Sequence, residues 1–218
     1  MSPELGALLL SLEVAALGSL GAALPGVPLA WFLARQEFRG KALVEALVVL
    51  PLVLPPIVTG YALLTLFGRD GLLELPIAFT TTGAGVAAGV MGFPLLVRTL
   101  RVAFEAVDPR LELAARSLGA SPLSAFARVT LPLAAPGLVA GALLCFARAL
   151  GEFGATITFA GNIEGETRTL TLAIWSAIQS PGGEDAALRL VALSVVCSVG
   201  AVIIGETLVR RARQRTMA

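Results

Sequence analysis

The sequence predicts an all-α integral membrane protein, built as one bundle of five transmembrane helices with a short re-entrant or interfacial helix and a long cytoplasmic loop. Of the 218 residues, 56% are hydrophobic and only 14% are charged, whereas a soluble domain averages about 25% charged residues. The mean hydropathy is +0.86. Five apolar segments are also long enough to cross a bilayer, which takes about 20 residues in a helix. These observations indicate a single transmembrane domain over residues 1–218.

The predicted spans are separated by loops that contain charged residues, glycine or proline. They cover residues 14–34, 46–68, 77–97, 133–159 and 188–208. A further apolar segment, residues 169–180, is too short to cross the membrane, so we interpret it as a re-entrant or interfacial helix. A sixth span there would carry the basic C-terminal tail to the opposite side, which the charge distribution disfavours.

The positive charges predict the orientation in the membrane, since loops on the cytoplasmic side carry an excess of lysine and arginine. With the long loop in the cytoplasm, four of the 16 basic residues fall elsewhere, namely Arg69, Arg148, Arg168 and Arg189. The cytoplasmic side then carries Arg35, Arg39, Lys41, Arg98, Arg101, Arg110, Arg116, Arg128, Arg210, Arg211, Arg213 and Arg215. Five crossings place the N-terminus outside and the C-terminus in the cytoplasm.

The long loop, residues 105–132, has the pattern of two short helices joined by a sharp turn. Gly119 is expected to end the first helix, because glycine adopts the left-handed conformation that a C-terminal cap needs. Ser121 and Pro122 then start the second helix, with serine as the N-cap and proline at the first helical position. The loop is therefore expected to be ordered.

The composition argues against an enzyme. The chain has no histidine, the commonest general base and metal ligand. Cys145 and Cys197 lie in separate apolar segments and are interpreted as small buried hydrophobic residues. The sequence lacks a GxxxxGK[ST] phosphate loop for ATP and a basic patch with interleaved aromatics for nucleic acid. We expect no catalytic residue, no metal site and no cofactor in this chain.

Within the loop, the pattern AAxxxG, nine further residues and then VxLP begins at Ala114. It resembles the EAA loop of bacterial ABC-importer permeases, although Leu113 takes the position of the family's glutamate and the nearby acid is Glu112. The resemblance implies that the first helix is a coupling helix that docks on a cytoplasmic ATPase. The implied coupling residues are Glu112, Ala114, Ala115, Gly119, Ser121, Pro122, Leu131 and Pro132. The alternative is a hairpin at the membrane surface with no docking role.

Two further segments, LPLVLPPIVTG at residues 50–60 and RALGEFGATITFAGNIEGETRTLTLAIW at 148–175, are similar to molybdate-importer permeases. This resemblance implies a homodimer in the cell inner membrane with two ATPase subunits, which bind ATP and magnesium, and an extracytoplasmic oxyanion-binding protein. The implied function is alternating-access import of molybdate, with sulfate or tungstate as alternatives. A non-ABC channel or carrier is a competing interpretation, although carriers usually show internal repeats. A structural membrane subunit is another.

The second predicted span contains Pro51, Pro55 and Pro56. Each proline removes a backbone hydrogen bond, and the freed carbonyls must be covered by protein or face a water-filled cavity. One interpretation is an ordinary kink, and the other is a broken helix that lines a pathway. Under the second interpretation Pro55, Pro56 and Gly60 line the translocation pathway.

Arg148 and Glu152 interrupt the fourth predicted span. Their i, i+4 spacing allows the two side chains to meet on one helix face. One interpretation is an intrahelical ion pair whose long side chains reach towards the outer surface. The other is a pathway role, in which Arg148 attracts an entering dianion and Glu152 holds the arginine when the pathway is empty.

Overall fold

The computed structural model describes residues 2–69 and 71–217. Those residues contain helices and no strand, which confirms the all-α prediction. The helices are α1 Pro3–Arg35, α2 Lys41–Val53, α3 Pro56–Phe67, α4 Thr81–Glu105, α5 Pro109–Ser117, α6 Pro122–Ala125, a π-helical segment Phe126–Thr130, α7 Leu131–Leu133, α8 Ala135–Leu150, α9 Gly154–Phe159, α10 Leu170–Gln179 and α11 Glu184–Met217. Asp70, in the predicted outer loop, and the side chain of Arg215 lie outside the described residues.

Three helices, α1, α4 and α11, are long and apolar enough to cross a membrane. Two further pairs of helices, each bent at a short break, could also cross a membrane if each pair is counted as one span. The first joins α2 and α3 at 112°, and the second joins Pro122–Leu133 to α8 at 73°. The described part of the chain therefore holds three to five candidate spans, in agreement with a multi-pass membrane protein.

The helix bounds differ from the predicted spans where caps or breaks intervene. Helix α1 begins at Pro3, well before the predicted start at residue 14, because the Ser2 hydroxyl accepts a hydrogen bond from the Leu5 amide and caps it. The predicted span 46–68 is divided between α2 and α3, and the predicted span 133–159 between α8 and α9. In both cases the apolar composition continues through a break in the helix.

Helices α1 and α4 cross at close range in the middle of the bundle. A Cβ atom placed on Gly18 would lie 2.6 Å from the carbonyl oxygen of Gly85 and 2.8 Å from the amide nitrogen of Gly89. Such contacts permit backbone-to-backbone packing, which supplies much of the attraction between helices in a membrane. Helix α4 consequently buries much of its length, including Ala84, Ala88 and Met91.

The end of the bundle at which α1 ends has its own core, which joins the end of α1 to α4 and the long loop. Leu33, Leu100 and Phe104 are fully buried there. Trp31 of α1 packs edge-on against Phe126 with 5.4 Å between the ring centroids. This core fixes the position from which the long loop leaves the bundle.

Candidate functional site

The long loop forms the predicted helix, turn and second helix. Asp108 caps α5 by accepting a hydrogen bond from the Arg110 amide at 2.9 Å. Gly119 has φ +92°, in the left-handed region. Ser121 then caps α6 by accepting from the Ser124 amide at 3.2 Å. The local prediction made from Gly119, Ser121 and Pro122 is confirmed.

Helix α5 presents apolar side chains to the surroundings. All of its residues are described, and none of them is buried. Leu111 and Leu113 are 46% and 58% exposed, and Leu118, just beyond the helix, is 90% exposed. Of the two predicted alanines, Ala114 is exposed and Ala115 is half-buried. An exposed apolar face on a loop flanked by arginines is typical of a protein interaction surface.

Glu112 points the other way, into the bundle. Its Oε1 atom accepts a hydrogen bond from Nη2 of Arg35 at 3.1 Å, and the two side chains are 17% and 12% exposed. The Thr130 hydroxyl donates to the same carboxylate oxygen. Arg35 also donates through Nη1 to the Val107 carbonyl oxygen at 3.0 Å. Sequence reasoning missed Arg35 and Thr130, because Arg35 lies 77 positions from Glu112 and no local pattern connects them.

The second half of the loop leads back to the helical bundle through a π-helical turn, where the Leu131 amide donates to the Phe126 carbonyl. Leu131 is half-buried and Pro132 is exposed. The chain then bends by 73° before α8. π-Helical turns occur frequently at functional sites, and this one places the buried Thr130 against Glu112.

A second cluster lies where the fourth predicted span is interrupted. Helix α8 ends at Leu150, and Glu152 lies in the break before α9. Nη1 of Arg148 is 2.6 Å from Oε2 of Glu152, with side-chain exposures of 26% and 2%. Oε1 of Glu152 accepts from the Ala155 amide at 2.8 Å. The predicted contact is present, but it is not an intrahelical pair, because it bridges the end of α8 and the start of α9.

The break between α2 and α3 packs against this cluster. A Cβ atom on Gly60 would lie 2.7 Å from the Ala155 carbonyl oxygen, and one on Gly154 would lie 2.7 Å from Cβ of Pro56. The bend between α2 and α3 is far too large for a simple kink. Pro56 and Gly60 are therefore close to the helix that follows Glu152, and Pro55 lies directly before Pro56.

Two threonines in this region have buried hydroxyls with no hydrogen-bond partner among the described residues. They are Thr59 on α3 and Thr156 on α9, which are 7% and 1% exposed. Buried hydroxyls normally have a partner. In the described part of the chain no group of acidic or cysteine residues is placed to hold a metal ion. The chemistry that this region offers is therefore hydrogen bonding and charge.

The sequence of this chain is similar to those of several transport system permeases. The chain is 48% identical over 221 residues to the molybdenum transport system permease protein ModB of Escherichia coli (strain K12), covering 98% of this chain and 96% of that protein. It is 44% identical over 220 residues to ModB of Haemophilus influenzae, covering 97% and 96%. The sulfate transport system permease protein CysT of Salmonella typhimurium is 39% identical over 161 residues, covering 71% and 58%.

Solved structures share the fold. The MetNI methionine ABC transporter in inward-facing conformations matches with a TM-score of 0.74 at 19% identity, covering 97% of this chain and 99% of that one. A bacterial ABC transporter for the import of alginate matches with a TM-score of 0.72 at 15% identity, covering 97% and 80%. Residues 26–214 match the family described as binding-protein-dependent transport system inner membrane component. The chain therefore belongs to this family of inner-membrane transport components, which are permeases and not enzymes.

Proposed function

We propose that this chain is the permease subunit of an ABC importer for molybdate. The observation that carries the proposal is the 48% identity to a molybdenum permease over nearly the whole of both chains. The sulfate permease is a weaker relative over 71% of this chain, so sulfate is the second candidate. Tungstate, which is a tetrahedral oxyanion like molybdate and sulfate, is the third candidate.

The proposed complex contains two copies of this chain, two cytoplasmic ATPases and an extracytoplasmic oxyanion-binding protein. The family description, which names a binding-protein-dependent system, supports the last partner. ATP and magnesium bind the ATPases. ATP-driven closure of the ATPases draws the two coupling loops together and opens the bundle outward, and hydrolysis returns it to the inward-facing form.

The proposed arrangement in the membrane has five crossings, made by α1, the α2–α3 pair, α4, α8 with the segment before it, and α11. Helix α10 then packs against the bundle without crossing it. Its short length and the hydrogen bond from the Leu170 amide to the Ser11 hydroxyl of α1, at 2.6 Å, support this arrangement. The N-terminus is outside and the C-terminus is in the cytoplasm.

Cysteine labelling of intact cells tests this orientation. In a variant without Cys145 and Cys197, single cysteines are placed at Glu37 and Glu164, whose side chains are 89% and 66% exposed. A membrane-impermeant maleimide should label the cysteine at position 164 from outside and reach position 37 only after the cells are opened. Labelling of position 37 in intact cells would overturn the five-crossing arrangement.

Docking of the ATPase is proposed to occur on the apolar face of α5 and the turn after it. Leu111, Ala114 and Leu118 are exposed on this side, at spacings of three and four that share one helix face. Leu113, in the position of the family's glutamate, is exposed as well. Gly119 positions this surface by reversing the chain directly after α5.

Gly119→Val tests the docking surface. A Cβ atom at this position would meet nothing within 4 Å, so the substitution acts only through backbone strain, about 1–2 kcal/mol for a left-handed L-residue. The variant should insert normally, lose most of its transport and release the ATPase more readily in detergent. Gly119→Asn is the matched control, because asparagine tolerates this conformation. Normal transport by the valine variant would rule out docking on this turn.

The translocation pathway is proposed to pass the contact between α3 and α9, with the exposed part of Arg148 meeting the oxyanion. Support comes from the packing of Pro56 and Gly60 against α9 and from the partial exposure of the guanidinium beside a buried carboxylate. Glu152 then holds Arg148 in place and caps α9 through the Ala155 amide.

Arg148→Gln separates transport from stability when it is combined with Glu152→Gln. The single variant leaves a buried carboxylate without its cation, which costs about 3–5 kcal/mol, so its membrane abundance should fall. The double variant removes the buried charge and should recover abundance, yet uptake per molecule should stay roughly tenfold or more below normal, since a charge-assisted hydrogen bond is worth about 1.5–3 kcal/mol.

The control for this pair is Arg168→Gln, which removes an arginine of similar exposure, 31%. Its glutamate at the same spacing, Glu164, is 66% exposed and is therefore not left as a buried charge. It should change neither abundance nor uptake by much. If the Arg148→Gln, Glu152→Gln variant recovers uptake together with abundance, the pair has a structural role alone.

Anion uptake tests the proposed substrate. The chain is expressed with its ATPase and binding protein in cells that lack their own molybdate permease, and cellular molybdenum, tungsten and sulfate sulfur are measured. We expect molybdenum uptake that depends on this chain, and molybdate on the co-purified binding protein. Retention of sulfate together with sulfate uptake would favour the second candidate.

A further inference from the structure

Helix α5 is attached to the membrane bundle through few side chains. The structure describes all nine of its residues and finds none buried. Its inward-facing charged residue is Glu112, whose carboxylate meets Arg35 at the C-terminal turn of α1. The other residues of α5 are exposed, apart from the half-buried Ala115. This contact therefore connects the helix to α1, which is distant in sequence.

The contact consists of three side chains, those of Arg35, Glu112 and Thr130, and the backbone carbonyl of Val107. Arg35 divides its donors between Glu112 and the Val107 carbonyl oxygen, and Thr130 donates to the carboxylate from the other side. Thr130 is fully buried. Nε of Arg35 is buried and finds no partner among the described residues. If Glu112 moved away, Arg35 would keep a largely desolvated charge, and partly buried pairs of this kind resist separation.

Aromatic packing supports the same junction from the second half of the loop. Trp31 lies one turn before Arg35 and packs edge-on against Phe126. The ring centroids of Phe126 and Phe104 of α4 are 5.9 Å apart. The π-helical segment that begins at Phe126 carries Thr130. Helix α1 therefore holds the loop by an aromatic contact and an ionic contact on successive turns.

We propose that Arg35, Glu112 and Thr130 form the linkage that transmits movement of the docked α5 directly to α1. This inference rests on the proposed function. Arg35, Glu112 and Thr130 are positioning residues, and they meet neither the transported solute nor ATP. The chain itself connects α5 to α4 and to α8, so this linkage gives α1 a separate connection to the loop.

The geometry explains why a connection to α1 matters. Helix α1 continues without a break from Pro3 to Arg35 and crosses α4 in backbone contact at Gly18. A displacement applied at Arg35 can therefore reach the opposite side of the membrane along one continuous helix. The neighbouring α2–α3 pair is broken, and it cannot carry a displacement in the same way.

Glu112→Ala in the complete transporter, reconstituted in liposomes with the ATPase and the loaded binding protein, tests the linkage. Membrane abundance should fall, because Arg35 is left with a largely desolvated charge. The complex that assembles should still retain its ATPase and hydrolyse ATP at its basal rate. Uptake per ATP hydrolysed should fall about fivefold or more, the lower end of coupling between distant sites. Thr130→Val, which removes only the hydroxyl, should produce a smaller loss of the same kind.

Glu37→Ala is the matched control, because it removes a carboxylate at the same end of the molecule that pairs with Lys41 but is itself 89% exposed. It should leave the ratio of uptake to hydrolysis unchanged. A normal ratio in Glu112→Ala would overturn the linkage, and so would loss of the ATPase, since Glu112 would then belong to the docking surface. The unmodified chain, run in parallel, reports on the proposed function separately: its failure to import any oxyanion would contradict that function.

Discussion

Most of this structure follows from one constraint, that a backbone amide or carbonyl in the hydrocarbon of a membrane must find its partner within the protein. Continuous helices such as α1, α4 and α11 satisfy most of the constraint by themselves, except at Pro25, Pro28 and Pro94, each of which removes one backbone hydrogen bond. Breaks satisfy it only where other groups cover them. The break after Leu150 is covered in this way, because the Glu152 carboxylate accepts from the Ala155 amide and the Thr171 hydroxyl donates to the Glu152 carbonyl.

The two broken regions also cover each other. The start of α3 packs against α9 so closely that Gly60 and Gly154 have no room for a side chain. Backbone irregularity at membrane depth is tolerated where it is buried in protein or lines a polar cavity. Two buried threonine hydroxyls without partners in the described residues lie on these same helices. This combination of breaks, small residues and spare hydrogen-bonding groups distinguishes the region from the continuous helices around it.

At the end of the bundle that carries the long loop, the leucines of α5 and Glu112 have different surroundings. Its leucines are exposed on a segment that lies outside the predicted spans, whereas Glu112 is turned towards Arg35. The acid one position before Leu113 therefore belongs to the interior of this chain, and the position of the family's glutamate carries an exposed apolar side chain. The difference follows from helix geometry, since neighbouring residues on a helix point about 100° apart.

The sequence by itself determined the fold class, the apolar segments, the Gly119 turn and the Ser121 cap, because each depends on composition or on residues a few positions apart. It also predicted the Arg148–Glu152 contact, because the i, i+4 spacing brings the two side chains together. Only the tertiary structure decided that Glu152 lies in a helix break, that α2 and α3 meet at a sharp bend, and that Arg35 and Thr130 hold Glu112. Those features depend on which distant groups cover an exposed backbone or a buried charge, and the three-dimensional packing determines that choice.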